Sequence, residues 1–159
     1  MKVPTEYDCP LSYHMGILGD TGMSAYFGML DVGRPNDGDA VFVSGAAGST
    51  GSIAGQIAKI KGARAIGIAG GKVKVDYILN ECGFDAAIDY KSTSDYAAAL
   101  REVCPNRVDV YFDNVGGPIA DAADVESRVG SYPYGWHVCE VEVDAETGVV
   151  RIERYTTID

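Results

Sequence analysis

The sequence lacks the ligand spacing of a metal centre. Its only histidines are His14 and His137, and its four cysteines, Cys9, Cys82, Cys104 and Cys139, form no Cys-x-x-Cys pair. Neither histidine stands at zinc-ligand spacing from a cysteine, so no metal site is expected and the cysteines read as small buried apolar residues. Positive charge is also scarce: 13 lysines and arginines against 23 aspartates and glutamates leave a formal net charge of −10. That acidity argues against nucleic acid or an anionic membrane as a general partner, although a local anion site needs only a few lysines and backbone N–H groups. No apolar run is long enough to span a bilayer, and residues 1–8 are polar, without the hydrophobic stretch of a secretory signal. The expectation is a cytoplasmic protein with a small-molecule substrate, no nucleic acid and no membrane; a homo-oligomer is left open.

What is present suits a folded domain. With 159 residues, 47% of them hydrophobic and 23% charged, the chain can bury a core and does not have the composition of a disordered one. Residues 1–19 show little periodicity, and Pro4 and Pro10 mark them as an irregular connection. From Thr21 to Leu30 the pattern turns helical, with Met23, Tyr26, Phe27 and Leu30 at helical spacing. A strand–helix alternation follows. The apolar runs 40–44 (AVFVS), 63–69 (ARAIGIA), 85–89 (DAAID) and 108–113 (VDVYFD) read as strands. Stretches 50–61, 75–82 and 94–103 read as the helices between them, the first with Ile53, Ile57 and Ile60 on one stripe. Such alternation means crossover units and a parallel sheet. Right-handed crossovers that reverse direction beside the first strand predict the order third, second, first, fourth, with a crevice at the C-terminal ends of the first and fourth strands. Residues 119–125 suit a short helix. The pattern then changes: 137–143 (HVCEVEV) and 149–155 (VVRIERY) read as two strands, joined by a hairpin loop over 144–148 with Gly148 where positive φ is wanted. The fold class expected is α/β, a truncated Rossmann-type doubly wound parallel sheet followed by an antiparallel β-hairpin. The division is 1–19 connection, 20–125 α/β domain and 126–159 hairpin.

The motif with the clearest chemistry is Gly45-Ala46-Ala47-Gly48-Ser49-Thr50-Gly51, which leaves an apolar strand and opens a helix. In that setting glycine allows a tight reversal, the bare backbone at Gly48 lets a pyrophosphate approach, and Gly51 with Gly55 lets the helix lie close to the strands. The helix N-terminus offers N–H groups and a partial positive charge to phosphates. The spacing Gly-x-x-Gly-x-x-Gly departs from the commonest dinucleotide fingerprint, and a Gly-rich packing turn is the other reading. The second strand then separates the two nicotinamide cofactors. An NAD site places Asp or Glu about 20 residues beyond the glycines, on the ribose 2′-hydroxyl. Here the strand runs into Ala69-Gly70-Gly71-Lys72-Val73-Lys74 with no carboxylate, which favours a 2′-phosphate and so NADPH. Solvated lysines at a helix start are the alternative.

These stretches, TGMSAYFGMLDVG, VSGAAGSTGSIAGQIAKIKG, GIAGG, GFDAAIDYK and VDVYFDNVGG, occur in order. From about residue 18 to 120 the chain resembles the cofactor-binding domain of medium-chain dehydrogenases/reductases. The resemblance is nearest to the zinc-independent branch of prostaglandin reductases, leukotriene dehydrogenases and NADPH-dependent enone or quinone reductases. The resemblance implies that Gly48, Ser49, Thr50 and Gly51 line the pyrophosphate and that Lys74 meets the 2′-phosphate. It also implies that Tyr90 lies against the adenosine and Asn114 near the ribose on the nicotinamide side. Ser24 matches a family threonine near the nicotinamide. No catalytic residue is identified. On this resemblance almost all of the family's N-terminal catalytic domain and its continuation past the fourth strand are missing, so residues 20–125 are expected to be a partial NADP-binding Rossmann domain and 126–159 a hairpin of different origin. The final stretch, SYPYGWHVCEVEVDAETGVVRIERYTTID, instead resembles a hairpin from the molybdenum-binding large subunit of xanthine and carbon monoxide dehydrogenase-type hydroxylases, as at a junction of two genes. The function expected is an NADPH-dependent oxidoreductase fragment, with hydride passing from nicotinamide to the activated C=C of an enone or quinone. The alternatives are a non-catalytic nucleotide-binding or interaction module from a gene fusion, or part of a molybdenum hydroxylase.

Overall fold

The computed structural model describes residues 9–126, 136–143 and 150–158. Its centre is a parallel sheet of β1 (Ala40–Val43), β2 (Arg64–Ala69), β3 (Ala86–Asp89) and β4 (Val110–Phe112), in the order β3-β2-β1-β4. This is the expected order. Val41, Phe42 and Val43 of β1 lie beside Val110, Tyr111 and Phe112 of β4 on one side and Ala65, Ile66 and Gly67 of β2 on the other. Strand β1 is apolar throughout because both its faces are covered. Val41 and Val43 join the core beneath α2 (Asp20–Phe27), α3 (Ser49–Ile60) and α4 (Lys72–Asn80). Phe42 points the other way, into the core formed with Leu100 of α5 (Tyr96–Val103) and Ala123 of α6 (Pro118–Glu126). The sheet is therefore doubly wound, with helices on both faces.

Aspartates fasten the N-terminal ends of the strands. Asp109 Oδ2 accepts from Ala40 N at 2.9 Å, and Asp85 Oδ2 accepts from Ala65 N at 2.7 Å while its other oxygen meets Lys59 Nζ at 2.6 Å. Asp95 caps α5 by accepting from Ala98 N at 2.9 Å, which fixes the start of that helix two residues later than the apolar pattern places it. Helix α4 begins at Lys72 rather than Val75, because Gly71, at φ +92°, turns the chain directly into it.

The helix faces that pack are small-residue faces, and here two expectations are corrected. Ile60 of α3 is 82% exposed, and the residues of α3 buried against the core are Gly51, Ser52, Ala54, Gly55 and Ala58. On α2, Met23, Tyr26 and Phe27 are about half exposed, while Gly22 and Ala25 are buried. Ile53 and Ile57 of the same stripe are partly buried and pack against the core, so on α3 only Ile60 falls off the packed face, whereas on α2 the buried positions belong to small residues that let the helix lie flush. Gly22 packs against the backbone of Ile17, and Gly55 packs against the ring of Phe84. Beyond the reach of the helical pattern of α2, residues 28–33 form one turn of π-helix, and a short helix α1 (Leu11–Met15) lies within the stretch read as irregular.

In the C-terminal part, β5 (Trp136–Val143) pairs antiparallel with β6 (Val150–Ile158), with a register shift between Glu140 and Val141. The expected hairpin loop, 144–148, lies outside the described residues. Among the described residues no helix is long and apolar enough to cross a membrane.

Candidate functional site

A crevice of about 510 Å³ opens at the C-terminal ends of β2 and β1 and reaches the loop after β4, beside the point between β1 and β4 where the sheet reverses its winding. Its floor is Gly45 and Gly48 after β1 and Ala69 and Gly70 after β2. Lys74 and Tyr90 stand at one side, and Val115, Gly116 and Pro118 of the β4–α6 loop at the other. The glycine loop is shaped by its own backbone. Gly45 sits at φ +57°, a left-handed conformation that glycine adopts without cost, and Gly48 N donates to Gly45 O at 2.8 Å. Ala46 N donates to Ile68 O at 3.1 Å, tying the loop to β2. Gly48 is exposed, with its side-chain direction bounded only by the Gly45 carbonyl, so the backbone there is approachable from the crevice. Ser49, Thr50 and Gly51 form the first turn of α3 and supply the N–H groups that an α-helix leaves without an intrahelical acceptor. Gly51 is buried against the backbone of Gly45 and Ala46, so its lack of a side chain serves packing.

The two lysines at the start of α4 part company. Lys72 Nζ lies 2.7 Å from Asp76 Oδ2 in an exposed i,i+4 pair, whereas Lys74 lines the crevice and makes no ion pair among the described residues. Tyr90, at the end of β3, lays its ring over Gly70. The turn beneath is held by Asp89, whose Oδ1 accepts from Gly71 N at 2.7 Å and Lys91 N at 2.9 Å; these bonds, that from Gly71 first, hold its carboxyl below the usual range. Strand β2 itself ends at Ala69 and runs into Gly70-Gly71 with no Asp or Glu, and the neighbouring Asp89 is bound to Gly71 N–H and is not among the residues lining the crevice; Ala69 is buried and Gly70 is covered by Tyr90. Tyr96 of α5 and Ile119 of α6 complete the wall and carried no signal in the sequence.

Asn114 does not line this crevice. It stands at the end of β4, where its backbone N donates to Ser44 Oγ and its Nδ2 to Ser44 O, both at 2.7 Å. Beside it, Asp113 gathers hydrogen bonds from Ser44, Tyr111, Val115 and Gly116. Burial pushes the Asp113 carboxyl up, but the bonds from Gly116 N–H, Ser44 Oγ–H, Val115 N–H and Tyr111 O–H together outweigh it and bring its pKa down to about 2. Ser44 and Asp113 were missed in the sequence; an Asp followed by Asn and two glycines just past a strand is the turn signature that could have found the second. Ser24 is exposed on α2 and is not among the residues lining the crevice.

A second cavity, of about 540 Å³, opens at the opposite, N-terminal ends of the strands, lined by Arg64, Glu102, Arg107 and Asp109 among others. Its charges balance, Arg64 Nη1 is engaged with Val103 O at 2.7 Å, and no glycine loop or helix start points into it. The crevice at the C-terminal ends is the one with the features of an anion-bearing ligand site.

Comparisons with known proteins concern the α/β core that carries this crevice. The zinc-binding dehydrogenase family model matches residues 49–126. A Bacillus subtilis protein, YfmJ, which by name alone is an NADP-dependent oxidoreductase, is 62% identical over 113 residues, covering 71% of this chain and 33% of that protein. The (+)-pulegone reductase of Mentha piperita is 49% identical over 122 residues, covering 77% of this chain and 36% of the reductase. Among solved structures, CurA from Vibrio vulnificus in complex with NADPH superposes with a TM-score of 0.72 at 44% identity, over 78% of this chain and 37% of CurA. The chain spans about a third of the length of the curated relatives it matches.

Proposed function

This chain, through its α/β core, belongs to the medium-chain dehydrogenase/reductase family, and from that premise we propose that the crevice binds NADPH and that the protein serves an NADPH-dependent reduction of an activated C=C in an enone or quinone. The observation that carries the reading is Lys74 lining a glycine-floored crevice whose described lining residues include no Asp or Glu, next to a strand β2 that ends at Ala69 and runs into Gly70-Gly71. The unit concerned spans residues 20–125.

The residues fit the cofactor group by group. Gly48 leaves its backbone open to a pyrophosphate, and the first-turn N–H groups of Ser49, Thr50 and Gly51 bring the positive end of α3 to it. Lys74, not drawn off into an ion pair, meets the phosphate on the adenosine ribose, and the Tyr90 ring gives the adenosine a flat apolar wall. Asn114, outside the crevice lining and fastened to Ser44 at the end of β1, serves in this reading as the contact for the ribose on the nicotinamide side. When bound, NADPH supplies the hydride; the protein's part is to hold it and aim it. No residue is assigned here as a catalytic acid. The likeness of the C-terminal stretch to a molybdenum-hydroxylase hairpin adds no residue to this function.

The test is calorimetric titration of the 159-residue chain with NADPH and NADH. About tenfold tighter binding of NADPH is expected from one partly exposed ammonium–phosphate contact. Equal affinities would overturn the cofactor assignment. Following NADPH consumption with simple enones and quinones tests the substrate class.

A further inference from the structure

The loop that follows β4 is organised around one oxygen atom. Asp113 Oδ1 accepts from Ser44 Oγ at 2.6 Å, Tyr111 OH at 2.7 Å, Gly116 N at 2.9 Å and Val115 N at 3.0 Å. The Ser44 side chain is completely buried. Its hydroxyl has one proton, which goes to Asp113, so toward Asn114 N it acts as the acceptor, at 2.7 Å. The direction of every bond in the chain Asp113–Ser44–Asn114 is thus set by the carboxylate at its end. Asn114 is then gripped a second time, through Nδ2 to Ser44 O. Because that partner is a carbonyl, the amide nitrogen must face it and the amide oxygen must face away. Asn114 is exposed, and no described residue donates to its Oδ1. What the loop displays is therefore a fixed acceptor, suited to a hydroxyl and unsuited to a phosphate oxygen.

Resting on the NADPH reading above, we propose that Asp113 and Ser44 are positioning residues for nucleotide recognition. They hold Asn114 with its amide oxygen outward, as the acceptor for a hydroxyl of the ribose beside the nicotinamide, and they hold Gly116 in the crevice wall. Gly116 lies at φ +71° and its N–H is one of the four donors to Asp113, so the same carboxylate shapes both features. The consequence is a division of labour. The adenosine end depends on Lys74 and Tyr90, the nicotinamide-side ribose on a relay that starts at Asp113, and only the second fails when Asp113 loses its acceptor.

The experiment compares NADPH with adenosine 2′,5′-bisphosphate, which carries the phosphorylated adenosine but no second ribose, on the full chain and on Asp113→Ala, Asp113→Asn, Ser44→Ala and Asn114→Ala. Loss of a well-placed buried hydrogen-bond relay is expected to weaken NADPH about tenfold in Asp113→Ala and Ser44→Ala. The bisphosphate should change by less than about twofold, which also reports that each variant is folded. Asp113→Asn keeps an acceptor oxygen at that position, able to take the Ser44 hydroxyl, and is expected to retain most of the affinity. Ser44→Ala combined with Asn114→Ala should bind NADPH no more weakly than Asn114→Ala alone, since the Ser44 hydroxyl reaches the nucleotide only through Asn114. Parallel loss of both ligands, or additive effects in the double variant, would make the network merely structural and overturn the proposal. Should Asp113→Ala not fold, Ser44→Ala and its double variant with Asn114→Ala decide the matter in the same way. An unmodified chain that binds neither molecule would instead defeat the NADPH reading, and the positioning role with it.

Discussion

The ring of Tyr90 lies over Gly70 so closely that a methyl group at position 70 would collide with it. Two turns from different strands are locked by this contact, and Asp89 secures them from below by binding the N–H groups of Gly71 and Lys91. Substituting Gly70→Ala must displace the ring. Tyr90 is 39% exposed, so it can swing outward at little cost, and the fold should lose less than about 1 kcal/mol by urea denaturation. Affinity for NADPH should fall by about three- to tenfold in calorimetry, the worth of one aromatic wall. Unchanged affinity would remove Tyr90 from the site.

Lys74 and Lys72 make a matched pair of probes, since they share a helix turn and differ in what they face. Lys74→Glu should shrink or invert the preference for NADPH over NADH, by about tenfold or more, as an attraction becomes a repulsion. Lys72→Ala should leave the preference within about twofold, because its ammonium is engaged by Asp76 at the surface. Competition of each cofactor for a fluorescent nucleotide on both variants measures the ratio directly.

The difference between those two lysines was not legible in the sequence, which offered both, because an i,i+4 carboxylate partner is recognised only once the helix start is fixed at Gly71. The strand order was legible, since handed crossovers and a glycine loop after the first strand leave few arrangements. Gly48, Lys74 and Tyr90 meet at one crevice as their positions after successive strands imply. Ser44 and Asp113 were not foreseen: they lie 69 residues apart and owe their contact to the pairing of β1 with β4. The packing face of α2, and the place of Ile60 on α3, were misread for a different reason. Isoleucine and aromatic spacing announces an amphipathic helix, yet in this fold the close contacts belong to Gly22, Ala25, Ala54, Gly55 and Ala58.

Gly55 gives that packing a direct test. A Cβ there would enter the ring of Phe84, which is itself 4% exposed and has no open side to retreat to. Gly55→Ala should therefore destabilise the domain by about 1–3 kcal/mol, the usual cost of overpacking a filled core, despite alanine's better helix propensity. The midpoint of urea unfolding measures it. Truncating the ring in the same chain, as Gly55→Ala with Phe84→Leu, should recover part of the loss; a stabilising effect of Gly55→Ala alone would show that α3 is free to shift.

Asp113 makes a prediction about acid. Its pKa in the fold is about 2, below the ordinary 3.8, because its carboxylate receives four hydrogen bonds that outweigh its burial. A lowered folded-state pKa means that the ionised group is preferred in the native state. The stabilisation is complete above the unfolded value and is lost as pH falls through the folded one. With partial exposure and solvent screening allowed for, the effect is on the order of 1 kcal/mol. Asp113→Asn keeps the oxygen and removes the titration. Against it, the unmodified chain should be more stable by about that amount near neutral pH, and the difference should begin to shrink below about pH 4 and close toward about pH 2. Every other carboxylate is common to both proteins, so its contribution cancels in the difference. Urea midpoints collected in parallel through this range test it: a gap that stays constant with pH would mean that the Asp113 carboxylate is not bound in the folded chain as these four contacts require.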